Sequence, residues 1–134
     1  MKNIIAGLGI ALAAAQLSGC DNNFRDKPGN LGYLSAVRSA LQVYYGDTEG
    51  VFPETLAVIS SGGKYMSGLH TLKLPGHKET NEVLYLSGPV MDPSKLTDTG
   101  GYAYYNSKEY PQTYGMVIIN CTHQDKKGNF MYSF

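Results

Sequence analysis

Leu31, Leu34, Val37, Leu41, Tyr44 and Tyr45 recur at steps of three and four residues, so the segment from Asn30 to Tyr45 carries one continuous apolar stripe. A helix of this length is marginal alone in water and gains its stability by laying such a stripe against a second apolar layer. The rest of the chain must therefore supply that layer. Ser35, Arg38, Ser39 and Gln42 fall largely on the other face. Asn30 is placed to act as N-cap, and Gly46 to reverse the chain just past the last turn.

The partner layer is sought in the second half, which reads as strands. Val83 to Leu86 is a short apolar run, Tyr102 to Tyr105 is aromatic and β-prone, and Tyr114 to Cys121 contains Met116, Val117, Ile118 and Ile119 in succession. Phe130 to Phe134 is expected to be a terminal strand. Between the first two runs lies a long loop, Gly88 to Gly101, and Glu54 to Ile59 is expected to form a short second helix behind Pro53. The expectation is an α+β fold in which one long N-terminal helix packs on a small antiparallel β-sheet. Leu34, Val37 and Leu41 should then meet Val117 and Ile119.

The first twenty residues have a different character. Lys2 precedes an apolar run from Ile4 to Ala15, and Leu17-Ser18-Gly19-Cys20 closes it. The run is too short to span a bilayer, which takes about 20 apolar residues. Its length suits a signal peptide. Small residues at 18 and 19 admit the chain to a peptidase cleft, and the Cys20 thiol is the atom that would accept lipid. The expected organisation is a lipoprotein signal peptide over 1–19, a lipidated Cys20 with a polar tether over 20–29, and a folded domain over 30–134. Two or three fatty-acyl chains of the palmitate class would hold such a protein stably to a membrane, where one would be marginal. This places the chain at the cell envelope, facing the periplasm or the exterior.

Charge narrows the partners. Eleven basic and eleven acidic side chains balance to zero, and cleavage before Cys20 would remove only Lys2 among them. A near-neutral body without clustered Lys and Arg does not bind nucleic acid by releasing counterions. Membrane attachment falls to the lipid rather than to a basic patch.

The chain offers little framed chemistry. It has no Gly-x-Ser-x-Gly elbow, and Gly100-Gly101 lacks the strand–loop–helix setting of a phosphate site. No enzyme activity is expected. Cys121 and His123 stand two apart and would share one face of a strand. They could hold zinc only with a third ligand, and no Cys-x-x-Cys or His-x-x-x-His spacing supplies one. The preferred reading is therefore a buried thiol beside a surface imidazole, with no metal and no cofactor assigned. Tyr102, Tyr104 and Tyr105 form an aromatic cluster that reads either as an interaction surface or as a tyrosine-rich sheet face beside the core.

One resemblance bears on these readings. Asn30-Leu31-Gly32 leads into Val37 to Tyr45, followed by Asp47-Thr48-Glu49-Gly50-Val51-Phe52-Pro53 and Leu56. Lys64-Tyr65-Met66, Lys73-Leu74-Pro75, Gly100-Gly101-Tyr102-Ala103-Tyr104 and Gly115 to Cys121 come after in order. Over residues 29–134 this resembles the soluble part of type IV pilin-like proteins, including the major pseudopilins of type II secretion systems. In physical terms, Gly50 lets the chain turn and Pro53 keeps Phe52 extended, so that Phe52 can tuck beneath the helix end beside Tyr44 or Tyr45.

The resemblance implies a structural or docking role at the envelope, with secretion or pilus proteins as partners. It also implies calcium in a late loop, for which Asp92, Asp98 and Asp125 are the candidates, although their spacing matches no fixed loop pattern and solvated turn aspartates are the plainer reading. Pilin-like subunits carry a long hydrophobic helix ahead of this body. Between Cys20 and Asn30 there is only polar chain, so assembly through such a helix is not expected. The alternative is a lipid-anchored binding protein unrelated to filaments.

Overall fold

The computed structural model describes residues 29–134. The expected signal peptide with Leu17, Ser18 and Gly19, the lipidation site Cys20, and all of the tether except Gly29 lie outside the described residues.

The fold is mixed α+β, with one main helix over a three-stranded sheet. Helix α1 spans Asn30–Asp47, a four-residue helix α2 spans Ala57–Ser60, and the strands are β1 Val83–Leu86, β2 Tyr102–Tyr105 and β3 Val117–Ile119 in the order β1-β2-β3. The α1 stripe meets the sheet as its spacing demanded. Leu34, Val37, Ala40 and Leu41 share one core with Tyr102, Tyr104, Val117 and Ile119. Residues alternate across the sheet, so Ala103, Tyr105 and Ile118 form the opposite face with Leu96, flanked by Leu84, Leu86 and Met116. Strand β2 is thus buried on both sides.

The sheet is not antiparallel throughout, as had been expected. β2 and β3 are antiparallel, with Ala103 opposite Ile118, whereas β1 and β2 are parallel, with Val83 beside Tyr102. Adjacent parallel strands need a return connection of a dozen or more residues. The Gly88 to Gly101 loop, which contains a short 3-10 turn at Pro93–Lys95, is that return. At Gly101 a Cβ would run into the Glu82 backbone, so the close start of this parallel pair depends on glycine.

Both expected helix ends are displaced. Asn30 does not cap α1; Gly29 stands at the cap position, and the Asn30 side chain turns inward. There its amide donates to the Lys73 carbonyl at 2.9 Å and accepts from the Lys73 N–H at 2.9 Å, mimicking one rung of a β-ladder. At the other end Gly46 stays helical. The reversal comes at Glu49 (φ 57), where the Gly50 N–H bonds the Tyr45 carbonyl and the Glu49 N–H bonds that of Gly46. This is the Schellman pattern with glutamate in the left-handed position. Phe52 then packs beneath the helix end as expected, its ring 4.5 Å from Tyr45 and 5.1 Å from Tyr114.

The last two expected strands are shortened. Gly115 (φ 85) and the turn at Tyr110 to Tyr114 leave only Val117–Ile119 as β3. Phe130 forms a single bridge with Gln124, after which the chain curls into a 3-10 turn at Met131–Ser133. Arg38 of α1 donates to the carbonyls of Val117 (3.0 Å) and Phe134 (2.7 Å), fastening both to the helix.

Tyrosine hydroxyls tie irregular chain to the sheet. Tyr102 donates to the His70 carbonyl (2.8 Å) and Tyr104 to that of Pro53 (2.7 Å), while the Tyr105 oxygen accepts from the Asp92 N–H (3.1 Å). Long loops have few backbone partners of their own, and buried polar groups must be paired. Burial pushes the Tyr102 and Tyr104 phenols far above their ordinary range, with nearby tyrosines adding to the shift.

Candidate functional site

Beyond β3 the chain bends at Asn120, where the Cys121 N–H bonds the Ile119 carbonyl (3.0 Å), and the residues that follow divide between two sets of partners. Asn120, fully buried, accepts from the N–H groups of Thr97 and Asp98 and donates to the hydroxyls of Thr97 and Thr99. Thr122 donates through its N–H (2.5 Å) and hydroxyl (2.9 Å to each oxygen) to the Asp98 carboxylate. These two residues fix the segment to the loop at 97–99. Cys121 and His123, between and beyond them, meet a different neighbour.

That neighbour is His77, from the turn that follows Leu74. Its Nε2 lies 3.2 Å from Cys121 Sγ and 3.0 Å from His123 Nδ1, and the Sγ–Nδ1 distance is 3.4 Å. His77, Cys121 and His123 form the one group of three or more potential metal-ligating residues among the described residues. The shared face of Cys121 and His123 was legible in their spacing. His77 was not, because it lies 44 positions before Cys121 and enters only through the fold.

Each of the three is held from behind. The His77 ring rests on Gly100, where a Cβ would collide with the imidazole. His123 accepts the Met131 N–H at its carbonyl (2.9 Å). Cys121 lies in the core beneath α1, only 1% exposed. Burial, with the Asp98 charge adding to it, pushes the thiol above its ordinary value, although the His123 backbone N–H pulls partly the other way. Burial thus disfavours the thiolate form of the free side chain. His77 is half-buried and His123 exposed, so the cluster opens to solvent on one side. A cleft of about 440 Å³ runs past His77, lined also by Lys78, Glu79, Thr80, Glu82, Asp98 and Thr99.

The three aspartates considered for calcium do not converge. Asp92 accepts from the Ser94 N–H and hydroxyl at the start of the 3-10 turn, Asp98 is taken up by Thr122, and Asp125 accepts from Lys127 and Asn129 within its own turn. Their oxygens serve the local backbone instead of pointing at a common ion. Tyr102, Tyr104 and Tyr105 are at most 1% exposed, so they are core and not an interaction surface. Alternation across a sheet covered on both faces is what hides them.

The chain matches no protein-family model, no curated protein and no solved structure.

Proposed function

We propose that this chain is a lipid-anchored envelope lipoprotein whose pilin-like body has a structural or docking role and performs no catalysis. The observation that carries the reading is Leu17-Ser18-Gly19-Cys20 placed directly after the apolar run Ile4 to Ala15. The body supports it through the Phe52 plug under the end of α1, the packing of α1 on β2 and β3, and the two glycines before the central strand. The non-catalytic reading rests on the lack of a framed nucleophile in the sequence and on the burial of Cys121, 1% exposed. The partners of such a body would be secretion or pilus proteins at the envelope.

Mass spectrometry of the protein extracted from membranes tests the anchor. The expected N-terminus is a Cys20 bearing diacylglycerol and a fatty-acyl amide, and Cys20→Ala should release the protein from the membrane fraction. An intact Met1, or an unmodified Cys20, overturns it. A second reading, a lipid-anchored binding protein unrelated to filaments, is favoured by the convergence of His77, Cys121 and His123. Cross-linking in intact cells separates the two, since capture of secretion or pilus subunits favours the first and their absence the second.

A further inference from the structure

We propose that His77, Cys121 and His123 bind one borderline-soft transition-metal ion, zinc by preference, through two imidazole nitrogens and a thiolate. The proposal does not depend on the lipid anchor or on the pilin-like reading.

The argument begins with the hydrogen bonds that the cluster is unable to complete. Three atoms, His77 Nε2, His123 Nδ1 and Cys121 Sγ, form a closed triangle with sides of 3.0, 3.2 and 3.4 Å. A neutral imidazole nitrogen either donates or accepts in the ring plane, and does not do both. Whichever tautomers are chosen, one side of the triangle has no proton of its own. A hydrogen bond also prefers a nearly straight donor–proton–acceptor line, which a triangle denies to a shared proton. A cation above the centre of the triangle satisfies all three atoms at once.

Size and ligand chemistry then select the ion. A tetrahedral zinc with Zn–N near 2.05 Å and Zn–S near 2.3 Å sets its donor atoms roughly 3.3–3.6 Å apart. The observed triangle is within a few tenths of an ångström of that spacing and closes onto the ion with small side-chain movement. One sulfur and two nitrogens suit zinc, copper or cobalt, whereas calcium and magnesium require oxygen. Binding exchanges a proton for the metal: M²⁺ displaces the Cys121 thiol proton to solvent and leaves a metal–thiolate bond, while both imidazoles bind as neutral ligands. Three protein ligands leave a tetrahedral ion one further position for water or an outside ligand. The cleft beside His77, with Lys78 as well as Glu79, Glu82 and Asp98 on its walls, gives a cation a route from solvent to the imidazole. The ion would join the turn at His77 to the segment after β3.

The test uses the full chain purified in detergent, with reductant present and chelator removed, titrated with Co²⁺ and then Zn²⁺. One equivalent of Co²⁺ should give a thiolate-to-cobalt charge-transfer band and intense visible bands of a tetrahedral site, and Zn²⁺ should bleach both. Cys121→Ser should abolish the charge-transfer band, while Cys20→Ala should leave it, which separates the core thiol from the one at the expected lipid site. His123→Gln alters an exposed residue and should fold normally; it should weaken binding by at least about 100-fold, beyond what outer-sphere losses commonly give. Gly100→Ala, which pushes on the His77 ring, should weaken it by about 10-fold. Zn²⁺ at about 100 times its Kd should raise the melting temperature by roughly 10 °C. No cobalt band with a demonstrably reduced Cys121 overturns the proposal, as does binding that His123→Gln leaves unchanged.

Discussion

The Asp98 carboxylate accepts both the N–H and the hydroxyl of Thr122, the single residue that separates Cys121 from His123. The clamp determines how the segment after β3 presents its other face. Asp98 itself has positive φ (55°), a conformation that asparagine also tolerates, so Asp98→Asn tests the carboxylate without straining the backbone. We expect Asp98→Asn to cost about 1–2 kcal/mol in denaturant unfolding, since a charged acceptor is replaced by a weaker one.

The same carboxylate predicts a pH dependence. Burial alone would raise its pKa, but the Thr122 N–H and hydroxyl, with the His123 and His77 rings, more than offset that and hold it below the ordinary aspartate value. A depressed folded-state pKa contributes stability that is present above the unfolded pKa, about 4, and is lost as pH falls through the lower folded value. Wild-type stability should therefore decline below about pH 4 more steeply than that of Asp98→Asn in urea titrations across that range.

Glu49 occupies the left-handed position at the end of α1 that glycine normally fills. The conformation costs a β-carbon residue about 1–2 kcal/mol, partly offset by the extra freedom that glycine has when unfolded. Glu49→Gly should therefore stabilise the protein by about 0.5–1 kcal/mol, read as a higher denaturation midpoint at unchanged m-value.

Gly115 has φ 85° and lies against the Phe52 ring, into which a Cβ would project. Gly115→Ala combines backbone strain with overpacking, and a loss of about 2–4 kcal/mol is expected. The change should also displace Phe52 from Tyr45, visible as altered aromatic-ring shifts in NMR spectra.

Tyr104→Phe removes the hydroxyl that donates to the Pro53 carbonyl while keeping the ring in place. An unpaired buried carbonyl is the consequence, and chemical denaturation should report a loss of about 1–2 kcal/mol.

These residues also show where sequence reasoning succeeds and where it stops. The α1 stripe, the three apolar runs and the Phe52 plug were legible because each rests on local spacing. The parallel pairing of β1 with β2 was not, since two short runs separated by a long loop can pair in either direction. Asn30 was read as a cap because caps are local, whereas its true partner, Lys73, is 43 positions away. The tyrosines were ambiguous for a related reason: alternation shows that faces differ and does not show that both are covered. In the candidate site the Cys121–His123 pair was visible and His77 was not. Asn120 and Thr122, which position the pair, carry no signature beyond being small polar residues beside a strand.

The hydroxyl ties from β2 have a consequence for how the molecule opens. Tyr102, Tyr104 and Tyr105 connect the chain near 70, 53 and 92 to one central strand, so those irregular stretches cannot loosen without disturbing the sheet. Amide-exchange experiments should find protection in these loops vanishing together with that of β2, as a single cooperative unit rather than as separately fraying parts.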